Sequence, residues 1–244
     1  IDPGGWLDLN RVDELTGIKI ENNEIDVGAR ATWSDIEAVV KDRLPEFHAI
    51  VSVFGSPQIR HAGTLGGNIV NASPIADSLP FLMVSEAELE LASVGGSRTV
   101  AITDFYTGYK EFDLRPGEIL TRIRIPLPEL NQRLRLYKVS RRRDLDIATF
   151  TAALMFAIDD QQIIQARVAF GAVGPTVMRA TQTEQFLLGQ MFSEDTMRAA
   201  GDVAVGEISP ISDVRGTADY RRQLTRNVLR RFYHEQTLAK PVPI

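Results

Sequence analysis

The sequence predicts an α+β fold: short strands mixed with short helices in the first half, then an antiparallel β-meander followed by helices. Three observations carry this. Short apolar segments of period two alternate with helical-period segments up to about residue 125. Two long strand candidates, residues 148–158 and 163–172, turn at Asp159-Asp160. Three helical segments close the chain, and strands followed by helices are the mark of α+β. The pattern changes near Pro128, dividing the chain into residues 1–130 and 131–240.

Each element follows from local chemistry. Residues 18–20 and 24–29 alternate across Asn22-Asn23, a pair that tolerates positive φ, and predict a hairpin. Ser34 and Glu37 have capping-box spacing, and Ile36, Val39, Val40 and Leu44 then share one helical face before Pro45. A second helix, 46–54, carries Phe47, Ile50, Val51 and Phe54. From 55 to 74 neither period survives the repeated Gly and Pro, although Ile59, Leu65 and Ile69 could anchor the segment. A loop of that length in a compact domain is usually either functional or disordered. Next come a helix over 77–84, strands 89–94 and 99–102 across Gly95-Gly96, a helix over 105–111 and a strand over 119–125.

The second half starts with strand 134–140 and the charged loop Arg141-Arg142-Arg143-Asp144, which lead into the two long strands. Helices over 183–188, 193–205 and 218–238 follow. The last sets Tyr220, Leu224, Val228 and Phe232 in one row. Its Arg221, Arg222, Arg226, Arg230 and Arg231 lie elsewhere, as a solvated face or a surface for an acidic partner.

Composition narrows the function. With 244 residues, 44% hydrophobic and 24% charged, the chain is long enough for one large domain or two small ones. A net charge of -5 lacks the basic surplus that nucleic-acid binding needs. Zero cysteines exclude disulfides, thiolate zinc sites, cysteine nucleophiles and iron-sulfur clusters ligated by this chain. No run approaches the roughly 20 apolar residues of a spanning helix, and the opening Ile1-Asp2-Pro3-Gly4-Gly5 is no signal sequence, so a cytoplasmic location without membrane contact is expected. Beginning without Met at a strand end and turn, the chain also implies further sequence upstream.

The chemistry concentrates in Thr64-Leu65-Gly66-Gly67-Asn68, continuing through Ser73-Pro74-Ile75-Ala76-Asp77. Paired glycines let backbone amides approach a phosphate, and Thr64, Asn68 and Ser73 offer neutral hydrogen bonds, a set suited to a diphosphate. Spacing alone equally allows a turn that merely needs two glycines. His48, His61 and His234 are scattered without metal-ligand spacing, and no metal site is expected. Trp6 and Trp33 are expected to pack.

The glycine stretch and the following Ala72-Ser73-Pro74-Ile75-Ala76-Asp77-Ser78-Leu79-Pro80 resemble the FAD-binding subunit or domain of molybdenum hydroxylases, the xanthine dehydrogenase and carbon monoxide dehydrogenase group. Phe54 ahead of the loop, Pro116-Gly117-Glu118-Ile119-Leu120, and Lys138-Val139-Ser140-Arg141-Arg142-Arg143-Asp144-Leu145-Asp146 match in the same order. The resemblance implies a PCMH-type FAD-binding subdomain with a mixed sheet, then the family's C-terminal flavoprotein domain. It assigns FAD to Thr64, Leu65, Gly66, Gly67, Asn68 and Ser73, with Asp77 bonding the polar part. Phe54 would pack on a ring, Leu120 would exclude water, and Lys138 would supply positive charge. The family's N-terminal βαβ subdomain, which holds the pyrophosphate from the other side, has no counterpart within residues 1–244, so that half of the cradle is expected to lie outside them.

The function implied is electron transfer: a molybdopterin centre on a partner oxidises substrate, [2Fe-2S] clusters relay electrons, and FAD here passes a hydride to NAD+. No residue of this chain need act as nucleophile or general acid. The alternatives are a carbon monoxide, nicotine or aldehyde dehydrogenase relative with another acceptor, a flavin-free interaction module, and a self-contained PCMH-type oxidase.

Overall fold

This computed structural model describes residues 7–238; Trp6 and the opening Pro-Gly-Gly turn lie outside them. After a 3-10 turn at Asp13–Leu15, β1 (Ile18–Glu21) and β2 (Glu24–Gly28) form the expected hairpin. Asn22 and Asn23 adopt φ of 52° and 60°, the left-handed pair whose twist suits a two-residue hairpin. α1 (Trp33–Val40) buries Trp33, Ile36 and Val40. Its capping box lies two residues upstream of Ser34 and Glu37. Thr32 is the last extended residue; its hydroxyl accepts from the Asp35 amide at 3.2 Å, while Asp35 Oδ2 accepts from the Thr32 amide at 2.9 Å.

α2 (Pro45–Ser52) begins on Pro45, whose fixed φ suits a first helical turn. Residues 55–74, expected to be irregular, contain two short helices, α3 (Pro57–Ala62) and α4 (Leu65–Val70). A hydroxyl caps each: Ser56 Oγ accepts from the Ile59 amide at 3.3 Å and Thr64 Oγ1 from the Gly67 amide at 3.0 Å. Helices of six residues are too short to show a period, and the breakers Pro57 and Gly63 sit at their ends.

α5 (Leu79–Val84) is buried along its whole length. β3 (Glu88–Ser93), β4 (Gly96–Ala101), α6 (Ile102–Phe105), the hairpin of β5 (Tyr106–Gly108) and β6 (Glu111–Phe112), and β7 (Ile119–Pro126) complete the first half. The helix expected over 105–111 thus ends where it was to begin: Tyr106 turns extended, and Lys110 takes φ 61° in the hairpin turn. β7 inserts between β2 and β3 to give the order β1-β2-β7-β3-β4. Because β7 runs antiparallel to both neighbours, every pairing in this sheet is antiparallel, where a mixed sheet was implied. Ile25, Val27, Leu89, Leu91, Ile123 and Ile125 on its strands share one core with Trp33, Phe47, Leu65 and Phe81 from the helices.

In the second half β8 (Gln132–Val139), β9 (Phe150–Asp159), β10 (Gln162–Gly171) and the short β11 (Met178–Arg179) form the expected meander. Its tight turn uses Asp160 and Gln161, one residue later than expected, at φ 42° and 64°. β9 is buried at every position from 150 to 157 because both its faces are covered. Ala153 and Met155 join the core of the first half, while Phe150, Ala152, Leu154 and Phe156 meet α7 (Thr181–Leu187), α8 (Glu194–Glu207) and α9 (Ala218–Thr237).

The α9 arginines are neutralised within the fold. Arg222 pairs with Asp219, Arg226 with Asp202, Arg230 with Glu194 and Arg231 with Glu235. Arg221 is 1% exposed, bonding Thr149 O, Ile211 O and Asp213, so it ties α9 to two loops instead of facing water. Among the described residues no helix is long and apolar enough to cross a membrane.

Candidate functional site

α4 is the centre of the site, and its two glycines have different duties. A Cβ on Gly66 would lie 2.6 Å from Ala29 O and 2.8 Å from Ala29 Cβ, so its bareness lets α4 press onto the backbone after β2. Gly67 is exposed, and a Cβ there would meet only Thr64 Oγ1, at 2.9 Å. Leu65 points into the core with no exposed surface, anchoring the helix. Tyr106 Oη donates to Ile69 O at 3.0 Å and Lys110 Nζ to Asn71 O at 2.6 Å, so the β5/β6 hairpin holds the far end of α4.

Different faces of α4 line two grooves. The first, about 610 Å³, is lined by Thr64, Gly66, Gly67 and Val70, together with Ala29, Arg30, Leu114 and Leu120. The second, about 330 Å³, takes Asn68 from α4 and Asn71 just after it, together with Phe54, Ile59, Ser73 and Asp77. Its rim is the segment 145–148 from the loop between β8 and β9. The sequence-predicted residues therefore divide: Thr64, Gly66, Gly67 and Leu120 on one groove, and Phe54, Asn68, Ser73 and Asp77 on the other. The Phe54 ring also packs on Trp33, with centroids 4.7 Å apart.

Lys138 lines neither groove. Its ammonium donates to Asp77 Oδ2 at 2.6 Å behind the wall, and the two side chains are only 5% and 7% exposed. Burial raises the Asp77 carboxyl above the usual aspartate range, and the lysine charge opposes that rise. Asp77 Oδ1 is buried with no hydrogen-bond partner, a free acceptor in a residue that walls the second groove. Ser78, its sequence neighbour, donates from Oγ to Asn68 Oδ1 at 2.7 Å.

The wall of the first groove is braced by Arg98 on β4, whose Nε and Nη2 donate to Glu118 at 2.8 Å each while Nη1 donates to Asp113 at 2.7 Å. These bonds hold the Glu118 carboxyl down at about 2, helped by the Arg115 amide. In the loop between β8 and β9, Arg141 reaches Val214 O, and Asp146 accepts from the Arg142 and Ile147 amides. Sequence reasoning missed Ala29, Arg30 and Leu114 as groove residues. The small residues Gly28-Ala29 at the end of a strand were the available signal for the first of these; Leu114 carried none.

Residues 1–128 match the family described as FAD binding domain in molybdopterin dehydrogenase, and residues 135–236 the CO dehydrogenase flavoprotein C-terminal domain. The chain is 31% identical over 237 residues to the glyceraldehyde dehydrogenase medium chain of Sulfolobus acidocaldarius, covering 96% of itself and 84% of that protein. It is 35% identical over 245 residues to xanthine dehydrogenase of Blastobotrys adeninivorans, where it covers 92% of itself but 17% of that much longer protein. Among solved structures, carbon monoxide dehydrogenase from Hydrogenophaga pseudoflava superposes with TM-score 0.85 at 30% identity, over 91% of this chain and 78% of that one. Quinoline 2-oxidoreductase from Pseudomonas putida 86 gives 0.83 at 30% identity, over 93% and 80%.

Proposed function

Because the chain belongs to the FAD-binding domain family of molybdopterin dehydrogenases, we propose that it holds FAD across α4 and passes electrons between partner redox centres and a soluble acceptor. The observation that carries this reading is Asp77 Oδ1, a buried acceptor left without a partner beside a groove. Buried polar atoms are nearly always satisfied, so a ligand N–H or O–H belongs there. The other residues fit the same group. Gly67 leaves backbone open to a diphosphate in the first groove, Leu120 offers an apolar wall there, and Phe54 offers one in the second.

In this reading Thr64, Gly67 and Asn68 bind the dinucleotide, Gly66 and Leu65 hold α4 in place, and Ser73 adds a hydroxyl to the second groove. Lys138 acts through Asp77, keeping its carboxylate charged and oriented. Bound FAD would supply hydride and single-electron chemistry, so this chain's residues need only bind, orient and exclude water. Partner chains or domains would carry the [2Fe-2S] clusters and molybdopterin.

The acceptor divides two readings. NAD+ fits a xanthine dehydrogenase type. A carbon monoxide or aldehyde dehydrogenase type with another acceptor is favoured by medium chains that match over most of their own length, 84% for the glyceraldehyde dehydrogenase chain. FAD titration of the flavin-free subunit and of Asp77→Ala tests the cofactor site; unchanged affinity in the variant overturns it. Reduction of NAD+ against an artificial dye by the assembled enzyme then separates the two acceptors.

A further inference from the structure

Ser78 occupies the N-cap position of α5, where a serine hydroxyl ordinarily accepts from the helix's own first amides. Here it makes no such cap. The side chain is 1% exposed and its Oγ instead donates to Asn68 Oδ1 at 2.7 Å, across ten residues of sequence. We infer that Ser78 is a positioning residue that fixes the Asn68 amide with its N–H2 end toward the second groove, which Asp77 also lines.

Satisfaction of buried groups sets this orientation. If the Asn68 amide were flipped, its nitrogen would donate to Ser78 Oγ and the serine hydroxyl hydrogen would lose its acceptor. A buried donor left unmade is costly, whereas the oxygen-inward arrangement leaves only lone pairs unused. Asn68 is half-buried and walls the second groove, so its two N–H donors remain for a ligand there. Consecutive residues then prepare both polarities of one wall. Asp77, held by Lys138, presents an acceptor, and Ser78, acting through Asn68, presents a donor.

The inference rests on the flavin reading, and FAD is the probe. In the flavin-free subunit, Ser78→Ala should weaken FAD binding about fivefold, the value of one hydrogen bond. The same change made in an Asn68→Ala background should weaken it less than about twofold, because the group it orients is gone. Ser78→Thr, which keeps the hydroxyl, should restore most of the affinity. Equal weakening in both backgrounds, or none in either, overturns the inference. If Ser78→Ala does not fold, Ser78→Cys, a weak donor of similar size, carries the same cycle. Failure of the wild-type subunit to bind FAD overturns the flavin reading itself, which separates the two failures.

Discussion

Lys138 Nζ lies 2.6 Å from Asp77 Oδ2, joining β8 to the segment before α5 across 61 residues of sequence. The pair crosses the junction between the two halves and backs the wall of the second groove, so it couples their packing to the candidate flavin site.

Lys138→Met leaves a buried carboxylate without its cation, a change that costs about 3 kcal/mol or more. The Asp77 carboxyl is already raised above the ordinary 3.8 by burial. A folded value above the unfolded one means the associated stability is full below about 3.8 and is lost as pH rises through the folded value. Without the opposing lysine that loss deepens, so the stability gap between wild type and variant should widen from about pH 4 to about pH 7. Urea unfolding at both pH values checks this; a constant gap would show that another group responds.

Gly66 and Gly67 should separate folding from binding. Gly66→Ala drives a methyl into Ala29 O, 2.6 Å away, and should cost about 1–3 kcal/mol of stability. Gly67→Ala displaces at most the Thr64 cap, about 1 kcal/mol, while intruding on the first groove. Thermal unfolding and bound flavin, measured on both variants, should give opposite rank orders. Full flavin content in Gly67→Val would remove this glycine from the site.

The glycine pair shows how far the sequence could be read. Its neighbourhood, the meander and most strands were legible because period-two alternation and turn residues survive in a single chain. That Gly66 serves packing and Gly67 an open face was not legible, since both duties ask for the same missing side chain. Nor was the position of Lys138 behind Asp77. A lysine at a strand end reads as solvated until the fold brings a carboxylate from 61 residues away. The helices α3 and α4 stayed hidden because six residues cannot display a 3.6-residue repeat.

Arg98 should govern acid stability as well as the first groove. It holds Glu118 at about 2, below the ordinary 4.5, so this carboxylate's contribution is present above about 4.5 and is lost as pH falls toward about 2. Arg98→Met should remove that contribution, flattening the acid limb of stability between those values. It should also loosen Leu114 and Leu120 on the groove wall and lower FAD affinity. Acid titration followed by tryptophan fluorescence, with and without FAD, checks both effects, and an unaltered acid limb would mean that the Arg98 ion pairs contribute nothing to folding.

Asp146 and Arg141 should act on a bound flavin with opposite signs. Asp146 walls the second groove with its side chain 20% exposed, and its carboxylate is held below the usual range chiefly by the Arg142 amide, so it stays charged at neutral pH. Arg141 is exposed and anchored to Val214 O, outside the groove lining. A negative charge at the groove disfavours electron uptake, so Asp146→Ala should raise the flavin midpoint potential. Arg141→Ala removes a positive charge and should lower it, by less, because water screens a charge on the surface. If the loop is only a solvated turn, neither potential moves and Asp146→Ala affects stability alone, through its two lost amide bonds and its lost ion pair with Arg142. Spectroelectrochemical titration of both variants decides between these outcomes, and a shift of the same sign in both would show that loop rearrangement, not charge, is at work.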